Sequence, residues 1–149
     1  MKSKNVLFFD DESFLTKMLI ENLQRNYCWD NNNHGNITFV STPKDLFDKS
    51  SNSSIKYDLF VLDIMVPIDQ IEKMDYFSDS EIEKMQEGDN TGIVFAERIR
   101  KMPNYRDVPI LFLSARMQPS EMMENSDYLE KPVLASDIST TMKKLMNIK

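Results

Sequence analysis

Three aspartates, a serine and a lysine stand where apolar runs of the sequence stop. Asp10 and Asp11 follow NVLFF (5–9), Asp63 follows LFVL (59–62), Ser114 follows VPILFL (108–113), and Lys131 comes soon after YL (128–129). A carboxylate at the end of a run suited to burial is costly unless something compensates its charge. Brought together, Asp10, Asp11 and Asp63 would repel one another and raise one another's pKa unless a cation lay among them. A hard divalent ion meets that need. Mg²⁺ takes one or two carboxylates, keeps several waters and accepts phosphate oxygens, and no thiol or imidazole cluster competes because Cys28 and His34 are each alone. An aspartate beside such an ion is a credible nucleophile toward a phosphoryl group, because the metal neutralises the incoming oxygens; the product is an acyl phosphate. Lys131 would pair with that phosphate, on the order of 4 kcal/mol of Coulomb energy at about 4 Å and an effective dielectric near 20. Ser114 would donate a hydrogen bond to it.

These residues meet only if the chain brings them together. The short runs, with ITFV (37–40), read as strands, most of them apolar on both faces, which predicts a parallel sheet. Between them lie helical stripes: Phe14, Leu15, Met18, Leu19 and Leu23; Ile93, Ala96 and Ile99; Ile138, Met142 and Leu145. Each stripe is read as core. Thr42, ahead of Pro43, is a candidate cap for a second helix, and Ser136 for the last. Five βα repeats predict an open α/β sheet with helices on both faces. Its strands would end on one edge, where ligands bind at the point of reversed strand order. That edge would collect the carboxylates, the hydroxyl and the ammonium.

The 149 residues suit a single domain, and a globule of this size buries roughly 68–70% of its extended surface. One cysteine forms no internal disulfide, so a reducing compartment, the cytoplasm, is expected. The N-terminal apolar stretch is too short for a signal peptide or membrane span. A net charge of −6 argues against nucleic acid, which requires a basic face. Residues 30–36 read as a polar loop in which His34 is solvated. Residues 68–90 carry eight acids against two lysines, so the rest of the chain is balanced at 16 basic and 16 acidic residues. This segment reads as a solvated, mobile insertion, with a short helix near 81–87 capped by Ser80 and Glu83.

FFDDE, VLDIMVP, LFLSA and YLEKP, in this order, resemble the receiver domain of two-component response regulators over nearly the whole chain. The resemblance implies a flavodoxin-like (βα)5 fold of strand order 2-1-3-4-5. It implies that Asp63 is the phosphoacceptor, that Asp11 and Asp63 bind Mg²⁺ directly, that Asp10 holds the ion through water, and that the Met65 backbone carbonyl is a further ligand. Ser114, Ala115 and Lys131 would bind the phosphate, with Pro132 following the lysine through a cis peptide bond. Tyr128 would turn inward as Ser114 moves toward the phosphoryl group, reshaping the surface of strands four and five. The implied partners are a histidine kinase or histidine phosphotransfer protein and an unknown downstream protein.

Departures from the family pattern accompany these matches. The glycine expected soon after Pro67 corresponds to Gly92, beyond the acidic insertion, which therefore borders the pocket. The interval from Ser114 to Lys131 is short, leaving a helix of about Ser120–Glu124. Arg116, with Met65, would set the phosphoryl lifetime. The chain closes on a fifth helix at MNIK, and no output domain is expected within it. Two other classes share part of the pattern. An aspartate-nucleophile phosphohydrolase would carry a second aspartate where Met65 stands. A receiver-shaped adaptor would bind partners without being phosphorylated, and the complete acidic set weighs against it.

Overall fold

In a computed structural model, residues 4–26, 36–52, 54–64, 77–86, 90–115 and 123–147 are described. Their strands are β1 (Asn5–Phe9), β2 (Asn36–Val40), β3 (Leu59–Asp63), β4 (Ile110–Ser114) and β5 (Ser126–Glu130). The helices are α1 (Ser13–Asn26), α2 (Pro43–Ser51), α3 (Asp79–Gln86), α4 (Thr91–Arg100) and α5 (Ala135–Leu145). The strands form one parallel sheet in the order β2-β1-β3-β4-β5, the expected flavodoxin-like arrangement. Asp63 and Ser114 prove to be the last strand residues, not the first residues beyond.

Successive side chains of a strand point to opposite faces, so each central strand feeds two cores. Val6, Phe8, Leu59, Val61, Leu111 and Leu113 face one layer, with α1 and α5. Leu7, Phe9, Phe60, Leu62, Ile110 and Phe112 face the other, with α2 and α4. This explains why the runs are apolar throughout: β1, β3 and β4 have no solvent face.

The helices correct the sequence reading in three places. α1 buries Thr16, Ile20 and Leu23, spaced four and three residues apart, while Phe14, Leu15 and Met18 stand 75%, 67% and 57% exposed. The apolar stripe assigned to the core is thus largely a surface stripe. Thr42 does cap α2, accepting a hydrogen bond from the Asp45 N–H at 3.1 Å, with Pro43 in the first turn. Ser136 does not cap α5; the helix begins one residue earlier, and the Leu134 carbonyl accepts from Ile138 at 3.1 Å.

The third correction is the insertion. The described part is capped by Ser78, not Ser80: Ser78 Oγ accepts from the Glu81 N–H at 3.2 Å, and Glu81 Oε1 accepts from the Ser78 N–H at 3.1 Å. Phe77 and Met85 are buried, so this part is docked and not solvated. Phe77 stacks on Phe95 at 5.6 Å and meets Phe47 edge-on. Glu81 pairs with Arg98 at 2.9 Å, Lys84 pairs with Glu97 at 2.7 Å, and the Arg98 guanidinium lies 5.2 Å from the centre of the Phe77 ring. Burial opposes ionisation of Glu81, yet its bonds to Ser78 and the charge of Arg98 hold its pKa below the ordinary value. His34, Met65, Arg116 and most of the expected 120–124 helix lie outside the described residues.

Candidate functional site

The strand order reverses between β1 and β3, and the acids gather at that point. Asp10 extends β1 by one step, its N–H donating to the Val40 carbonyl at 3.2 Å. Its side chain is engaged on both oxygens: Oδ1 accepts the Glu12 N–H at 2.9 Å and Oδ2 accepts from Lys131 Nζ at 2.8 Å. Asp63 lies in register with Leu113, and the Ile64 N–H bonds the Leu113 carbonyl at 3.0 Å, so β3 stays paired to β4 past the carboxylate. One carboxylate oxygen from each of Asp10, Asp11 and Asp63 falls within a 4.8 Å group. Asp10 and Asp63 are 2% and 4% exposed, while Asp11 is only partly buried. The cluster is therefore deep on two sides and reachable on the third.

Lys131 enters from a position 121 residues away from Asp10. Its N–H donates to the Ser114 carbonyl at 2.7 Å, which carries the β4–β5 ladder one step beyond the strands, and a cis peptide joins it to Pro132. Its ammonium is bonded to Asp10 and lies 3.7 Å from Asp63 Oδ2. Burial disfavours the charged amine. The bond to Asp10 and the charges of Asp63, Asp10 and Glu12 outweigh it, so the pKa is raised. Glu12, the last residue of FFDDE, contributes here although the motif gave it no role.

Ser114 is buried, 1% exposed, at the end of β4 and opposite Glu130. Ala115 lines, with Asp10, Glu12 and Lys131, an open cavity of about 420 Å³ whose other walls include Leu15, Leu19, Pro132 and Val133. Tyr128 pairs with Phe112 on β5 and packs, partly buried, against the α2–α4 core. Burial, then the charge of Glu130, raises its phenol pKa.

The donor set suits a hard cation. Among the described residues three carboxylates face one ammonium, and every side-chain donor in the cluster is oxygen. Mg²⁺ fits this chemistry better than a soft metal.

No family model matches the sequence, and a search of curated proteins finds no match. Solved structures do match, and the fold is that of CheY-like response regulator receiver domains. The chemotaxis protein CheY4 of Vibrio cholerae is 18% identical, covering 97% of this chain and 99% of its own, at a TM-score of 0.68. A CheY-like receiver domain protein from Methanospirillum hungatei is 14% identical, covering 98% and 95%, at 0.67. The receiver domain of DrrB, solved as activated by BeF3, is 16% identical, covering 98% and 99%, at 0.64.

Proposed function

We propose that this chain is a response regulator receiver, a signalling domain that accepts a phosphoryl group on Asp63 with Mg²⁺ bound. The observation that carries the reading is the Lys131 ammonium, bonded to Asp10 and 3.7 Å from Asp63, beside three clustered carboxylates at the switch point of a receiver fold. Asp10, Asp11 and Asp63 would hold the metal, with the Met65 carbonyl as a further ligand. When bound, Mg²⁺ supplies positive charge that lowers the repulsion between a carboxylate and phosphoryl oxygens.

In the transfer, an Asp63 oxygen forms a bond to phosphorus as the bond from phosphorus to the donor breaks. Lys131 would act as a cation: although burial disfavours its charge, the bond to Asp10 and the charges of Asp63, Asp10 and Glu12 raise its pKa and favour the ammonium. It orients the carboxylates beforehand and offers its ammonium to the phosphate afterwards. Ser114 and the backbone at Ala115 would bind the remaining phosphate oxygens, and Tyr128 would follow Ser114 in the switch. A donor protein, a histidine kinase or phosphotransfer protein, is supported by exposed Phe14, Leu15 and Met18 on α1, since Leu15 also lines the cavity that holds Asp10 and Lys131. None of the helices searched is long and apolar enough to cross a membrane.

The test is labelling with a small phosphodonor such as acetyl phosphate in Mg²⁺. The wild-type chain should take up acid-stable, base-labile phosphate, and Asp63→Asn should take up none. Equal labelling of the two would remove Asp63 from the role.

A further inference from the structure

We infer that Gly92 is a positioning residue for the Asp63 carboxylate, an inference that rests on the receiver reading above. The chain leaves the site at Ile64 and returns to it at Gly92, in the first turn of α4, after the acidic insertion. The Gly92 N–H donates to the Ile64 carbonyl at 3.0 Å, closing the excursion at its base. There is no room at this closure for a side chain. A Cβ on Gly92 would lie 2.5 Å from the Asp63 carbonyl oxygen and 2.6 Å from the Ile64 Cα. Both neighbours are backbone, so neither can rotate away as a flexible side chain would.

The helix that carries Gly92 is itself held. Val94, Phe95, Ala96 and Ile99 are buried in the α2–α4 core, and Phe77 of the inserted segment stacks on Phe95. On the other side, the Asp63–Ile64 peptide closes β3 and stays paired to β4 through the Leu113 carbonyl. α4 and β3 therefore meet at one peptide, and the absent side chain of Gly92 is what lets them approach. Adding a methyl group would push the Asp63 peptide by most of an ångström, or displace α4 by a similar distance.

Such a shift bears on metal binding as well as on folding. Mg²⁺ requires near-ideal octahedral geometry at about 2.0–2.1 Å from its ligands. A misplacement of about 1 Å in a reacting group can cost roughly a hundredfold in rate. Gly92 touches no ligand itself; it acts through the backbone of Asp63. Pattern matching marks it only as a glycine displaced by an insertion, whereas the distances give it a task.

The experiment compares Mg²⁺-dependent beryllium fluoride binding, by calorimetry, in the wild-type chain, Gly92→Ala and Ala96→Gly. Ala96 is buried on the same helix one turn beyond Gly92, so its variant loosens α4 without adding an atom beside Asp63. The wild-type and Ala96→Gly chains should bind alike, and Gly92→Ala should bind about ten- to a hundredfold more weakly. No binding by the wild-type chain would defeat the receiver reading itself. Wild-type binding with Gly92→Ala within twofold of it, or with Ala96→Gly equally impaired, would overturn the positioning role alone. Should Gly92→Ala fail to fold, amide exchange on the wild-type chain decides: Mg²⁺ and beryllium fluoride should slow exchange of the Gly92 N–H at least about threefold relative to Leu46 in α2. Unchanged exchange at Gly92 with the ligands bound would overturn it.

Discussion

With its ammonium on Asp10 and 3.7 Å from Asp63, Lys131 sets, among the described residues, one positive charge against the three negative charges that Asp10, Asp11 and Asp63 bring to one rim. That imbalance has a thermodynamic consequence. Removing one carboxylate charge should relieve repulsion when no metal is bound, so Asp63→Asn should melt at a higher temperature than wild type in chelator. Mg²⁺ should reverse the order. A ligand that binds only the native state adds about 2.7 kcal/mol at about 100 times its Kd, and the variant, lacking a ligand oxygen charge, should gain less. Paired thermal melts with chelator and with saturating Mg²⁺ test this; an equal gain in the two proteins would argue against Asp63 as a ligand. Neutral buffers will not titrate the lysine. A raised lysine pKa stabilises fully below its unfolded value and is lost only as pH climbs through the folded one, in the alkaline range.

Among the elements, α1 and α3 contradict their periodicity in opposite senses. α1 carries two apolar faces, and the one with Thr16, Ile20 and Leu23 is buried while the richer one, with Phe14, Leu15 and Met18, faces outward. Thr16 hides the true core face from a reading that scores apolar residues alone. α3, in contrast, belongs to an acidic segment that composition marks as solvated, yet Phe77 and Met85 anchor it against α4. Phe77→Ala should therefore cost about 3–5 kcal/mol in a urea titration, the usual range for a buried aromatic. Phe14→Ser, at a 75% exposed site, should stay within about 0.5 kcal/mol. A large loss at Phe14 would mean that the surface stripe is covered, and no loss at Phe77 would mean that α3 is not docked in solution.

At the scale of the molecule, the sheet separates two layers with different tasks. α2, α3 and α4 lie on the layer that holds Gly92 and the inserted segment; α1 and α5 lie on the other, which presents the exposed stripe and Leu134. The described part of the insertion is thus anchored on the far layer from α1, with Asp79 and Glu83 exposed beside α4. If α1 receives a donor protein, Leu15→Ser should slow phosphotransfer from that protein by about tenfold, the effect of roughly 1.4 kcal/mol of lost contact. Labelling by acetyl phosphate should remain unchanged, because a small donor reaches Asp63 without α1. Equal slowing with both donors would place the effect in the site and not at a docking surface.

Much of this molecule was legible from its residues in order. Runs apolar on both faces, alternating with helical stripes, read as interior strands of a parallel sheet, whose carboxyl ends share the edge where acids, a hydroxyl and a lysine can meet; both expectations follow from backbone periodicity and charge. Tertiary packing decided the rest: which face of α1 is buried, that Phe77 and Met85 draw an acidic segment into the core, that Lys131 bonds Asp10 ahead of Asp63, and that Gly92 abuts the Asp63 peptide. Each of these depends on distances between segments remote in sequence. Local periodicity carries no record of such distances.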